Sequence, residues 1–368
     1  MLEGKLRILL HCNAAQVNSV EIRSSRPQIS GRLLEGNGVA QALSKVPVIY
    51  SICRQAQSLA ATLAAEAAGS DTTLAGLPLG ARLEALQEHL WRFFIDLPGQ
   101  LGEKPLLKEF APIRQQIVQQ VKLLDSGAPY DDEDDLLGRL SPEIESMVWG
   151  GSSVEWSGQG EADLQAWLES GASSVGKLLW RASQLLERSY TGYRVTCDQG
   201  LLGTDSLVDV VQALGRDDQF SAQPWLQQGH PEAGAMARHQ EHPLVTALVA
   251  REQRAMARFV ARLLEIDRLL NPAQAIGMGR ISLGDGSGAG WVETARGILV
   301  HRLDIHHGRV QRYQVVAPTE WNFHPEGPLV REVLALAGDN VDLLRQRVQL
   351  ICLSLDPCVS FEIEVYNA

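Results

Sequence analysis

Apolar positions along the chain fall into two periods, and the switches between them lay out the elements. Residues 2–8 and 17–22 read as two short strands around a turn-like stretch at 13–18. From Gly31 the period lengthens. Leu33, Leu34, Val39, Leu43 and Val46 recur at three- and four-residue spacings, which predicts a helix that Pro47 is expected to end. An alanine-rich run at 55–68 stops at Gly69; alanine at that density favours helix and permits close helix packing. Further helices are expected at 79–94, closed by Leu97-Pro98-Gly99, and at 113–124. The acidic run at 131–135 reads as a solvated loop or a helix start.

Residues 161–189 and 243–270 also carry helical periodicity, the second stretch long and amphipathic through Leu244, Leu248, Met256, Phe259, Leu263, Ile266 and Leu270. Two stretches interrupt the order: 148–160 is rich in Gly and Ser, and 277–290 carries six glycines. Both are expected to be flexible or remnant loops, and the GxGxxG-like spacing in the second has no preceding strand to make it a nucleotide loop. Residues 297–316 alternate on both sides of His306-His307-Gly308, the pattern of a β-hairpin. A last helix is expected at 340–353, after which Pro357 forces Asp356 out of the helical region. With no internal repeat, the chain is expected to be one domain over 1–368, of class α+β, mostly helical with small antiparallel sheets.

The chain has 368 residues, 45% of them hydrophobic, enough for a substantial core. A formal charge of -11 gives no electrostatic attraction to nucleic acid or anionic lipid. No run approaches the roughly 20 apolar residues that cross a bilayer, and no signal-peptide core follows Met1, so cytoplasm is the expected location. The five cysteines are Cys12, Cys53, Cys197, Cys352 and Cys358; an odd set in a chain this long does not read as a disulfide framework.

Among possible chemistries, His301, His306, His307 and His324 lack the spacing of a zinc site, and His239 and His242 precede Pro243 as the end of a loop. There is no GxSxG elbow and no phosphate loop. Two cysteines stand in unusual settings. Cys53 opens the small-residue helix, where backbone N–H groups and the positive helix end are expected to favour thiolate. Cys358 follows Asp356-Pro357 in a constrained turn. Either thiol is read as inert core packing or as a functional ligand, and only the fold brings two such distant positions together.

The sequence also resembles a known family. Residues 50–61 (Tyr50-Ser-Ile-Cys53-Arg-Gln-Ala-Gln-Ser-Leu-Ala-Ala61) resemble the first cysteine motif of [NiFe]-hydrogenase large subunits, with Tyr50 on the first cysteine and Cys53 on the second. The tail Asp356-Pro357-Cys358-Val-Ser-Phe361 is similar to the closing DPCxxC motif, with Phe361 on its second cysteine and Glu364 on the terminal histidine. Between them, Leu2-Glu3-Gly4-Lys5-Leu6-Arg7-Ile8, Pro231 to Arg238, Thr294-Ala-Arg296-Gly297 with His301, and Tyr313 to Asn322 match further family segments in order. The resemblance implies a large-subunit-like helical core with peripheral sheets.

Only one cysteine of each pair survives, so the pattern resembles the HupK/HoxV-type hydrogenase formation proteins rather than the catalytic subunits. The resemblance implies a maturation scaffold without hydrogen turnover. Its cargo would be iron carrying two cyanides and one carbon monoxide, held by Cys53 and Cys358. Nickel is not expected, because two sulfurs hold it poorly. Arg296 would lie beside one cyanide, its fixed charge suiting an anion, and Thr319 would donate to the other. Glu3 falls on a proton-transfer glutamate that has no such task here and is read as structural. Implied partners are a small HypC-type chaperone, iron-loading maturation proteins and the hydrogenase large subunit as acceptor. A second reading is a docking chaperone that carries no cofactor.

Overall fold

In the computed structural model the structure describes residues 4–13, 16–27, 29–153, 160–186, 200–336 and 340–367. Cys197 and Glu3 lie outside the described residues, as do 154–159 of the first expected loop. Among the described residues no helix is long and apolar enough to cross a membrane.

Strands β1 (Leu6–Asn13) and β2 (Gln16–Ser24) pair antiparallel. The helical body then runs through α1 (Ser30–Leu34), α2 (Val39–Ile49), α3 (Arg54–Ala67) and α4 (Leu77–Trp91). Pro47 does not end α2. The helix continues to Ile49, and Tyr50 N still donates to Val46 O, because only the last turn lies beyond the proline. Beyond α4 one wide π turn, Arg92–Asp96, leads directly into α5 (Leu97–Gln100). Pro98 therefore does not close the helix: it sits in the first turn of α5, where no N–H is needed.

Next come α6 (Leu107–Ser126), α7 (Glu133–Trp149), α8 (Glu161–Ser170), α9 (Ser174–Leu186), α10 (Leu207–Arg216) and α11 (Ala235–Arg238). The acidic run proves to be a helix start: Asp132 caps α7 by accepting from Asp134 N at 3.0 Å. The stretch 243–270 is two helices, α12 (Pro243–Ala250) and α13 (Arg254–Leu270), broken where Glu252 takes φ 62. His242 caps α12 through its ring Nδ1. Helix α13 is buried on every side along 255–266, so its polar face is not a solvated one. Arg258, Arg262 and Glu265, each under 5% exposed, pair inside the protein instead.

The glycine-rich stretch is not a loop. It forms β3 (Met278–Gly284) and β4 (Ser287–Thr294), joined by Asp285-Gly286, both at positive φ (49 and 77). An Asp-Gly pair at left-handed φ is the two-residue hairpin turn whose twist suits the flanking strands. β5 (Gly297–His306) and β6 (Arg309–Val316) complete a four-stranded meander in the order β3-β4-β5-β6, with His307-Gly308 in the second such turn. The glycines of β4 let α3 lie on the sheet: a Cβ on Gly290 would stand 2.3 Å from Ala60 O, and one on Gly288 2.4 Å from Ala68 N.

The chain ends through α14 (Pro318–Asn322), α15 (Pro328–Leu334), α16 (Val341–Leu355) and β7 (Phe361–Asn367). Strand β7 joins the first sheet beside β1, in the order β2-β1-β7, and the β1–β7 pair is parallel rather than antiparallel. No hairpin constrains strands so far apart in sequence. The largest core cluster gathers α4, α6, α7, α9, α13 and α16, while a second lies between α2, α3 and the four-stranded sheet.

Candidate functional site

Along the α3–β4 contact, Gly288 meets Ala64 to Ala68 while Gly290 meets Ala60 to Ala64, so helix and strand run in opposite directions. The N-terminus of α3, with Cys53 as its N-cap, is thereby carried to the end of the sheet where β4 turns into β5. That turn holds Arg296: Thr294 Oγ1 donates to Gly297 O at 2.9 Å and accepts from Arg296 N at 3.1 Å. Gly297, at φ 126, has no room for a Cβ, which would lie 2.8 Å from Gly234 N. Strand β6 ends beside the start of β5 and leads through Pro318 to Thr319.

Cys358 arrives from the opposite side of the core. The end of α16 is fixed by the buried cations of α13: Arg262 donates to Asp356 Oδ2 at 2.9 Å and to Ser354 O, and Arg258 donates to Ser354 Oγ. Asn322 clamps the same end, donating to Leu355 O at 3.1 Å and to Ala233 O at 2.8 Å. Asp356 leaves the helix at φ 57 and ψ 70, in the left-handed region rather than an extended one. Its carboxylate is 1% exposed and faces Arg92 of the π turn, Arg262, and Arg296 Nε at 3.4 Å. Burial alone would raise its pKa, but Arg92, Arg296 and Arg262 hold it well below the usual carboxylate range.

These four deliveries meet. Cys53, Cys358, Arg296 and Thr319 line one cavity of about 80 Å³, together with Arg26, Tyr50 and Gln57. Much of the remaining wall is apolar, including Ile29, Ile49, Ile52, Leu299, Pro318 and Val359. Thr319, 1% exposed, accepts from Cys358 N at 3.2 Å, so the same hydroxyl ties the cysteine turn to α14. Arg296 gives Nη2 to Glu88 at 2.5 Å, while its buried Nε has no hydrogen-bond partner. Arg26, next to the end of β2, brings a second guanidinium, paired with Glu320 at 2.5 Å.

The residues at the other two family cysteine positions diverge. Tyr50 lies in the cavity wall. Phe361 instead lines a neighbouring open cleft that also reaches Cys358, and Glu364 pairs with Arg7 on the surface sheet.

The expected activation of Cys53 is corrected by its surroundings. The free N–H groups at the start of α3 are already taken, Gln55 N by Glu84 Oε2 at 2.9 Å and Ala56 N by Glu84 Oε1 at 3.1 Å. The helix end is thus satisfied by a carboxylate instead of the sulfur. Burial, with Glu84 and Cys358 adding to it, pushes the Cys53 thiol up to about 12. Glu84 itself is raised to about 8 by burial.

A hydrogen-bonded chain ends on the same sulfur. Gln57, one turn after Cys53, places Nε2 3.4 Å from Sγ; its Oε1 lies 2.7 Å from His301 Nε2, and His301 Nδ1 lies 2.7 Å from Tyr313 OH. His301 is therefore not grouped with the hairpin-turn histidines, and His324 stacks on His230 at 3.7 Å. Cys12 packs in β1 and Cys352 in the main core, both buried and away from the cavity. Among the described residues no three His, Cys, Asp or Glu side chains gather as a metal cage.

Comparison with known proteins places this geometry in context. Residues 226–363 match the family model of the Nickel-dependent hydrogenase. Over its full length the chain is 28% identical to a hydrogenase expression/formation protein HupK of Azotobacter vinelandii, all of which is covered. It is 27% identical to a hydrogenase expression/formation protein HoxV of Cupriavidus necator, covering 93% of this chain and 92% of that one. The fold is that of the Ni-Fe-Se hydrogenase from D. vulgaris Hildenborough, with a TM-score of 0.59 over 94% of each chain at 14% identity.

Proposed function

We propose that this chain, a degenerate [NiFe]-hydrogenase large-subunit homologue of the HupK/HoxV type, is a hydrogenase maturation factor that carries iron with two cyanides and one carbon monoxide. The observation that supports the reading is the convergence of Cys53, Cys358, Arg296 and Thr319, from four distant segments, on one largely apolar cavity. Each has a task toward such cargo. The thiols, deprotonated on binding, supply two soft ligands to an ion that already holds three. Arg296, buried in the cavity wall and always charged, would serve as a fixed donor for cyanide. Thr319 accepts from Cys358 N, which leaves its own hydrogen for a second cyanide. Arg26 adds positive charge near both sulfurs. The apolar part of the wall would limit the access of water to a bound ion.

With Tyr50 and Phe361 at the other two family cysteine positions, nickel has no full thiolate set, and hydrogen cleavage is not part of the role. The cargo would be received from a small HypC-type chaperone and the iron-loading proteins and passed to the hydrogenase large subunit.

A second reading, docking without cargo, draws on the high pKa of Cys53, which keeps that thiol protonated at neutral pH. Cys53→Ser and Cys358→Ser separate the two. The carrier reading expects each variant to fold, to co-purify without iron and to lose hydrogenase maturation in cells. Normal maturation with both variants would overturn it in favour of docking.

A further inference from the structure

The chain Tyr313–His301–Gln57–Cys53 takes its direction from the orientation of the Gln57 amide, whose Oε1 faces His301 and whose Nε2 faces Cys53. Gln57 Oε1 only accepts, so His301 Nε2, 2.7 Å from it, carries the proton and donates. A neutral imidazole then has an acceptor at Nδ1, and the Tyr313 hydroxyl donates to it at 2.7 Å. Burial keeps His301 neutral, lowering its pKa to about 3. With its oxygen held this way, the Gln57 amide turns its N–H toward Cys53 Sγ at 3.4 Å. Gln57 is 3% exposed and His301 is fully buried, so water does not compete for either group.

We propose that Gln57, locked by His301 and Tyr313, is a positioning residue that donates an N–H to the Cys53 sulfur and sets how tightly that sulfur holds its cargo. The proposal rests on the carrier reading. A hydrogen-bonded thiolate gives less charge to iron; without the donor, iron passes more charge into the carbon monoxide and weakens its bond.

The test is an infrared spectrum of cargo-loaded protein with Gln57→Leu, which keeps the side-chain size and removes the donor. The carbon monoxide band should move to lower frequency. Exchange of the cargo into an added thiol should slow by about 10-fold or more, because the sulfur without its hydrogen bond gives more charge to iron. Tyr313→Phe, farther from the sulfur, frees His301 to change tautomer and should move the band the same way by less. This second variant keeps the test open if Gln57→Leu does not fold. Iron retained with bands unmoved in both variants overturns the relay alone. Wild-type protein without iron overturns the carrier reading beneath it.

Discussion

Replacing Asp356 by asparagine tests what holds the Cys358 turn in place. Asparagine keeps the shape and tolerates the left-handed backbone that Asp356 adopts (φ 57, ψ 70), so the substitution isolates the charge. In the native protein the carboxylate is 1% exposed and is faced by Arg92, Arg262 and Arg296. Arg92 keeps Asp96 and Arg296 keeps Glu88, but Arg262 loses the carboxylate it pairs with, and breaking a buried pair in this way costs roughly 3–5 kcal/mol. That is a factor of about 10² to 10⁴ in the unfolding equilibrium. Urea unfolding followed by tryptophan fluorescence should show the midpoint falling at unchanged slope.

The pH dependence has a definite sign. The folded carboxylate titrates far below its unfolded value of about 3.9, so its contribution is present above that value. The gap between wild type and variant should be constant from about pH 5 to 8 and should close as the pH falls below about 4. A variant midpoint equal to the wild type at pH 7 would refute the argument that these ion pairs hold the turn.

Two further outcomes follow from contacts at the site. Cys53, raised to about 12, should alkylate slowly until strongly alkaline pH. At pH 8 its thiolate population is on the order of a thousandfold below that of an ordinary thiol. Mass-spectrometric rates that reach half-maximum below pH 9 would sink that assignment. Gly290→Ala should cost about 1–3 kcal/mol or more, because the new Cβ would lie 2.3 Å from the Ala60 carbonyl and the helix must lift from the sheet. Unchanged urea stability would show that α3 does not need the glycine.

Cys53 ahead of an alanine-rich helix and Cys358 after Asp-Pro stand out by their local settings, whereas Arg296 and Thr319 are expected only through the family resemblance; the fold brings all four to one cavity wall. Arg26 gave no local signal; its place depends on β2 ending beside α14. The thiolate expectation at Cys53 failed because the fold buries the thiol, and because Glu84, distant in sequence, occupies the helix N-terminus.

Two features of the fold escaped the sequence for local reasons. Counting glycines at 277–290 hid the Asp285-Gly286 hairpin, because glycine there serves close packing as well as turning. The amphipathic period of α13 left its charged positions unplaced, since periodicity reports which face is charged and not whether the charge meets water or another buried charge. Strand β7 alternates at 361–366 in the sequence, yet its parallel partner β1 lies at the other end of the chain, beyond what local pattern reveals.

The most direct test of the central claim is the infrared spectrum of this protein purified without oxygen from cells that also make the maturation proteins. The carrier account predicts bands of iron-bound carbon monoxide and cyanide, lost in Cys53→Ser and in Cys358→Ser. Iron-free wild-type protein without those bands, still supporting hydrogenase assembly, would contradict it.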